Sequence, residues 1–579
     1  MDTNTLKKRI DAAAGRIPAD LVIKNVKIVD VYNGTIIEGK SIAITDGYIV
    51  GIGDYHGLKE TDAQGRYASP GFIDSHIHIE SSYLTPEEIG RLLVPHGTST
   101  IIADPHEIVN VCGMAGMEYM LEAAEMTRLD ILYMLPSCVP ATPYEHAGAV
   151  IDAAAMAKAI GDGRILGLGE FMDYEGVIHA KDEVLDKLLT AVNIGKPVDG
   201  HSPALNGNRL NAYAVSGIRT DHECSTAEEM LDRISRGMYV MLRQGSACRN
   251  LRTLLAAVTP ANSRRCLLCS DDRQPETIFK SGHLDDHLRI CVQEGIDPIT
   301  AIRMASLNAA ECYGLRDRGA VAPGMRADIV LLDDLADFHA HSVYIKGEEA
   351  AHDGRYLPEV RRCDLPAAVR SSFHVRGFSR EKLRMKLKSR RVNVIDILPG
   401  GVVTAKGIAE VLTDDDGEFI RQPEQDIVKA AVVERHQDTG NVALGLLRGY
   451  GIKAGAVAVS IAHDSHNIIT VGTNDDDIAF AVERLIEQGG GIILVKDRQI
   501  VNAMPMVVGG IMTDQSGEWV SEKLAQIHED AYTKLGVSRD VEPVMTLCFM
   551  SLAVIPEIKL TDMGLFDVTN ARFIPIEAE

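Results

Sequence analysis

The spacing of apolar and polar positions changes character along the chain. Up to about residue 70 the apolar runs are short: Leu21–Ile23, Val26–Val31, Ser41–Ile44 and Tyr48–Ile52. Asn33-Gly34 and Asp46-Gly47 punctuate them, which predicts an antiparallel sheet with tight turns. A short polar helix over about Thr5 to Ala14 precedes it. Beyond Ser69-Pro70-Gly71 short apolar runs alternate with longer amphipathic ones. The predicted strands are Phe72–Ile79, Thr98–Asp104, Ile131–Pro136, Ile165–Glu170, Pro197–His201, Ile218–His222, Tyr239–Arg243 and Leu267–Asp271. Between them lie helical stretches such as Pro86–Leu93, Gly113–Ala124, Ala153–Ile160, Asp182–Ile194 and Thr226–Arg236. Eight β-α alternations predict a (β/α)8 barrel of the TIM type.

After Ala305 the alternation stops, and β character returns at Ala327–Leu332 and His341–Lys346. Neither this segment nor the first is large enough to bury a core alone, so the two are expected to build one small β-sandwich. The chain from about Val392 onward reads as a further β-rich α/β unit. The expected division is 1–70 and 318–375 for the two parts of the sandwich, 71–317 for the barrel and 376–579 for the C-terminal domain. The basic stretch Arg380–Arg391 is read as a solvated linker or helix rather than an anion site.

Composition narrows the function classes. A chain of 579 residues with 46% hydrophobic and 24% charged positions is an ordinary multidomain globular protein. Its formal net charge of −23 disfavours nucleic acid as a partner, since binding phosphates needs a basic surface. A free nucleobase carries no phosphate and stays open as a small-molecule substrate. No window approaches the roughly 18 apolar residues of a membrane span, and no apolar leader follows Met1. The ten cysteines are scattered, which suits a reducing compartment, so the cytoplasm is the expected location. Cys266 and Cys269 have CxxC spacing without a second pair and read as buried strand positions.

Barrel chemistry resides at the C-terminal ends of the strands. Those ends carry His76 and His78, Glu170, His201, His222, and Asp271-Asp272. His76 and His78 are two apart on one strand and therefore share a face. Taken singly, each residue has an ordinary reading as a hydrogen-bonded core histidine or a helix-capping carboxylate. Together they form a set of nitrogen and oxygen donors suited to divalent Mn, Fe(II) or Zn. Six ligands exceed what one catalytic ion with an open position uses. They suit two ions sharing a carboxylate: His76, His78 and Asp271 on one, His201 and His222 on the other, and Glu170 across both. Such a pair, about 3.5–4 Å apart, lowers the pKa of a shared water. Asp271 is placed to take its proton and pass it to the leaving group. Glu223 follows His222 and is expected to face away from the barrel centre.

The segment Pro70–Glu80 resembles the strand-1 signature of the amidohydrolase superfamily, and Gly319–Leu331 looks like its return strand. Ala103–Ile108, Gly167–Met172, Asp199–Pro203, Thr220–Cys224 and Cys269–Arg273 are similar to the adenine deaminase branch. Ala462–Asn467 resembles that branch's C-terminal domain. Many two-metal members bridge their ions with a carboxylated lysine from strand 4; Glu170 stands there instead. That weighs against a dihydroorotase or hydantoinase reading.

The resemblance implies hydrolysis of adenine to hypoxanthine and ammonia at two divalent ions, Mn or Fe(II) ahead of Zn. The alternative is another binuclear amidohydrolase acting on a cyclic amide or a related aminopurine. Asp271 and Glu170 would be catalytic. Asp104, His106, Glu107, Asp272 and Arg273 are candidates to contact the purine; the first four have loop capping or ligand support as their other reading, and Arg273 has pairing with a carboxylate. A homodimer is the default assembly. His463 and His466 have no partners identifiable in the sequence, so a packing or lid role is expected rather than a second metal site.

Overall fold

The computed structural model describes residues 1–370, 372–399, 401 and 403–578. The first strands are β1 (Ala19–Asp30), β2 (Thr35–Thr45), β3 (Tyr48–Gly53), β4 (Gly57–Asp62) and β5 (Tyr67–Pro70). The two apolar runs at Leu21–Ile23 and Val26–Val31 belong to the single strand β1. Asn25 between them takes a left-handed conformation (φ 51°), and the register against β2 shifts there, so the chain passes a bulge without ending the strand.

Eight parallel strands follow: β6 (Phe72–Ile77), β7 (Thr98–Ala103), β8 (Asp130–Leu135), β9 (Ile165–Phe171), β10 (Val198–Gly200), β11 (Thr220–Asp221), β12 (Tyr239–Arg243) and β13 (Cys266–Cys269). β6 to β10 form one run and β11 to β13 another. They close on each other at two seams. The amide of Arg219 donates to Val198 O at 3.3 Å on one side. On the other, Asp271 N donates to His76 O at 2.9 Å and His78 N to Asp271 O at 3.1 Å. Ile73, Ile102, Met134, Met241, Leu267 and Cys269 pack together in the barrel. Cys266 and Cys269 are free thiols fully buried on β13, and burial pushes the Cys266 thiol up to about 12.

The chain then returns through β14 (Ile329–Leu332), β15 (Ala340–Ile345), β16 (Glu348–His352) and β17 (Arg355–Tyr356). β14 pairs antiparallel with β5, Ile329 opposite Pro70, so segments before and after the barrel share one nine-stranded sheet. Leu21, Ile23, Ile42 and Ile44 pack with Ala327, Ile329 and Leu331 across that join. Neither segment buries this apolar surface without the other.

The basic stretch forms a single 3-10 turn, Arg380–Leu383, and then runs on without helix. Leu383, Met385 and Leu387 point into the core while Arg380 pairs with Asp476 and Arg384 with Glu418. It leads into an eight-stranded sheet running from Arg391–Ile397 to Gln499–Pro505. The helix Asp475–Gln488 packs on this sheet. The C-terminal part grips the barrel directly: Asn467 donates to His146 O at 2.8 Å, Gln437 to Ala147 O at 2.9 Å, and Thr513 N to Tyr83 O at 2.8 Å. No described helix is long and apolar enough to cross a membrane.

Candidate metal centre

His76 lies on β6 and His78 just past its end, both buried, with their Nε2 atoms 3.1 Å apart. His78 Nδ1 donates to Asp104 O at 2.9 Å, which fixes the tautomer and aims Nε2 inward. Asp271 Oδ1 lies 3.5 Å from His76 Nε2 and 3.3 Å from His78 Nε2. Across the cluster the His222 ring stacks on His76 at 4.2 Å between centroids. Glu170 occupies the middle. Its Oε1 is 3.4 Å from His78 Nε2, and its Oε2 is 2.8 Å from His201 Nδ1 and 3.3 Å from His222 Nε2. All six residues read as ligands from the strand ends therefore converge, with one Glu170 oxygen turned to each half.

Elements around the cluster fix these positions. The Asp104 carboxylate accepts the Glu170 amide at 2.8 Å, and burial pushes this carboxyl up to about 6. His106 Nδ1 lies 3.2 Å from Glu170 Oε1. Asp221, the last residue of β11, is fully buried, bonds Ser202 and accepts from Arg233 Nε at 2.8 Å. It thereby joins the residue after His201 to the residue before His222. Asp271 itself takes a left-handed conformation, φ 58°, which bends the chain at the strand end.

Two further residues face the cluster. Arg243, at the end of β12, donates to Asp271 Oδ2 at 2.7 Å and pairs with Glu223. Glu223 does not face away from the centre: its Oε1 is 3.3 Å from His222 Nε2 and 3.8 Å from His201 Nδ1. β11 ends at Asp221, so strand alternation does not extend to Glu223. Applied to Tyr239–Arg243, the strand-end rule would have singled out Arg243.

The remaining candidates divide. Ser81 Oγ lies 2.9 Å from Glu107 Oε1 and also contacts Asp272. Burial and the adjacent Asp271 push the Asp272 carboxyl up to about 6. Arg273 is committed elsewhere: its guanidinium donates to Gly282 O, Gln244 O and, at 2.9 Å, to Asp286. It is buried in these folding contacts, the carboxylate-pairing alternative weighed for it above.

The donor set fits divalent cations. His76, His78 and Glu170 form one group whose ligand atoms lie within 4.8 Å of one another; His76, His222 and Asp271 form a second, and Glu170, His201 and His222 a third. The groups overlap, making one continuous cluster. Burial works against the ionised form of both carboxylates. His201, His106 and His222 nevertheless hold Glu170 well below the usual carboxylate range, and Arg243, His76 and His78 do the same for Asp271. Burial and His106 press His78 downward, yet Asp271 and Glu170 hold it well above an ordinary imidazole. The pocket thus draws positive charge onto facing lone pairs, a demand that protons or metal cations meet.

The chain also matches known families. Residues 67–350 match the amidohydrolase family and residues 401–572 the adenine deaminase C-terminal domain. An adenine deaminase 2 of Desulfotalea psychrophila is 62% identical over 578 residues, covering 100% of both chains. The adenine deaminase of Ligilactobacillus salivarius is 50% identical over 580 residues, again covering 100% of both. That of Clostridium acetobutylicum is 43% identical, covering 98% of this chain and 100% of its own. Identity of this extent over the whole length shows that the chain belongs to the adenine deaminase family of amidohydrolases.

Proposed function

We propose that this chain hydrolyses adenine to hypoxanthine and ammonia. The observation that carries the reading is Glu170, a buried carboxylate with one oxygen turned to His78 and the other to His201 and His222. It stands where a lysine would have favoured a cyclic-amide hydrolase, and the full-length relatives are named for the same reaction. Two divalent cations, Mn or Fe(II) ahead of Zn, would be held by His76, His78, Glu170, His201, His222 and Asp271. When bound they supply Lewis acidity and make a water acidic enough to attack near neutral pH.

The chain's own groups then move the protons. Attack forms a bond from the water oxygen to purine C6, and the C6–amine bond breaks. Asp271 is held ionised by Arg243 and accepts the water's proton, which it returns to the departing amine. Ring N1 gains a proton as the tetrahedral centre builds, and the water's second proton, released as the C6 carbonyl forms, restores the donor. Asp272 is the donor best suited to it, because burial beside Asp271 keeps its carboxyl protonated further towards neutrality than an exposed aspartate. Asp104 and His106 act on Glu170, one through its amide and the other at Oε1. They position the central carboxylate.

The test is ammonia release. Protein stripped of metal and reloaded separately with Mn, Fe(II) or Zn is offered adenine, adenosine, cytosine and dihydroorotate. Turnover of adenine is expected. Turnover of dihydroorotate without adenine would move the reading to a cyclic-amide hydrolase, and no adenine turnover with any metal would overturn it.

A further inference from the structure

His463 and His466 find in the folded chain a partner that the sequence alone does not reveal. Glu107, at the start of the helix His106–Ala124, places its Oε2 3.4 Å from His466 Nε2. The ligand atoms of Glu107, His463 and His466 all lie within 4.8 Å of one another. The rings of His463 and His466 stand 5.6 Å apart at 63°, so they converge on a point instead of stacking. Glu107 and His466 are buried, and His463 is half-buried.

We propose that Glu107, His463 and His466 form a third divalent-cation site, separate from the Glu170 cluster, that ties the C-terminal domain to the mouth of the barrel.

Unmet bonding capacity supports it. His466 is fully buried, and neither ring nitrogen has a hydrogen-bond partner among the described residues. Buried polar atoms of this kind are costly unless something coordinates them. The two other ligands are already oriented. Ser81 Oγ donates to Glu107 Oε1 at 2.9 Å, leaving Oε2 turned to His466. The ring of Phe549 packs 4.9 Å from that of His463 and sets its plane. Such an outer contact on a ligand is what holds metal sites in shape. Two imidazoles and one carboxylate suit zinc or a neighbouring transition ion and leave one coordination position open. Ca and Mg prefer all-oxygen shells and fit poorly.

The site joins two regions distant in the chain. Glu107 belongs to the barrel, and Ser81 connects it to Asp272 beside the catalytic cluster. His463 and His466 belong to the segment that also sends Asn467 to His146 O. A cation here would hold that segment against the mouth, beyond what the direct hydrogen bonds do.

The experiment measures metal content, so its outcome is independent of whether adenine is the substrate. The full chain is equilibrated with zinc, freed of excess, and assayed by mass spectrometry; a zinc-edge anomalous map from crystals locates the ions. Three equivalents are expected, with one anomalous peak between Glu107, His463 and His466. His466→Gln and the milder His463→Gln, at the more exposed of the two rings, should each hold one equivalent fewer and keep the peaks at the Glu170 cluster. Unchanged metal content in His463→Gln, or a wild-type chain with no peak at Glu107, would overturn the site. A raised KM for adenine with full metal retention in both variants would equally overturn it and make these histidines purine contacts.

Discussion

Arg243 donates from Nη1 to Asp271 Oδ2 at 2.7 Å, and both side chains are buried at the edge of the metal cluster. Burial by itself raises the Asp271 pKa; Arg243 is the first group to pull it back, and it holds the carboxylate well below its usual range. The bond leaves Oδ1 turned to His76 and His78. Arg243 therefore sets both the charge and the direction of the group proposed to take up the water's proton.

Arg243→Gln should lower kcat about 10- to 100-fold, the usual effect of losing a residue that orients a ligand. The sign of the pH effect follows from the depressed pKa. Without the guanidinium the Asp271 carboxylate binds a proton more readily, so the acid limb of the kcat/KM profile should move to higher pH. A profile with an unmoved acid limb would show that Arg243 acts on Glu223 alone.

Glu170→Gln removes the negative charge between His78 on one side and His201 and His222 on the other. One metal equivalent should be lost and adenine turnover should fall at least about 100-fold. Elemental analysis beside the ammonia assay checks both. Two retained equivalents would show that Glu170 is not a shared ligand.

How much of this was legible in the sequence depended on local geometry. His76, His78, Glu170, His201, His222 and Asp271 could be grouped because parallel barrel strands present their C-terminal ends to one face. Residues past the end of a strand were not legible in the same way. Glu223 was expected to face outward, but β11 stops at Asp221 and the alternation rule stops with it. Arg273 follows Asp271, whose left-handed backbone turns the chain, and its guanidinium ends on Gly282, Gln244 and Asp286. The pairing of Glu107 with His463 and His466 depends on how the C-terminal domain docks, which no local pattern encodes.

Asp272→Asn keeps the shape of the side chain and removes the acid. If Asp272 protonates N1, kcat should fall about 10²- to 10⁴-fold, the span of general acid catalysis. Metal content should stay the same, since the groups His76–His78–Glu170, His76–His222–Asp271 and Glu170–His201–His222 are complete without Asp272. The wild-type carboxyl is pushed up to about 6, so its acid form is depleted as pH rises, and the alkaline decline of kcat that it causes should vanish in the variant. A variant that loses metal instead would make Asp272 a support for Asp271.

Arg233 and Asp221 form a fully buried pair at 2.8 Å, beneath the loops that carry His201 and His222. Arg233 also donates to Leu205 O at 2.8 Å and to Ser202 O at 2.5 Å, so one guanidinium holds both ligand loops. Arg233→Leu leaves the Asp221 charge buried without its cation. Breaking a buried pair from one side costs about 3–5 kcal/mol. Urea unfolding of metal-free protein should show that loss at neutral pH. Burial raises the Asp221 pKa, but Arg233 and Ser202 bring it below that of an ordinary aspartate, so the wild-type pair stabilises the fold above the unfolded carboxyl pKa and loses that contribution as pH falls through the folded one. The difference between the two proteins should therefore shrink in acid. The variant should also bind metal more weakly, because Ser202 and Asp221 adjoin His201 and His222. Equal stability at neutral pH would mean that the loops are held by the backbone alone.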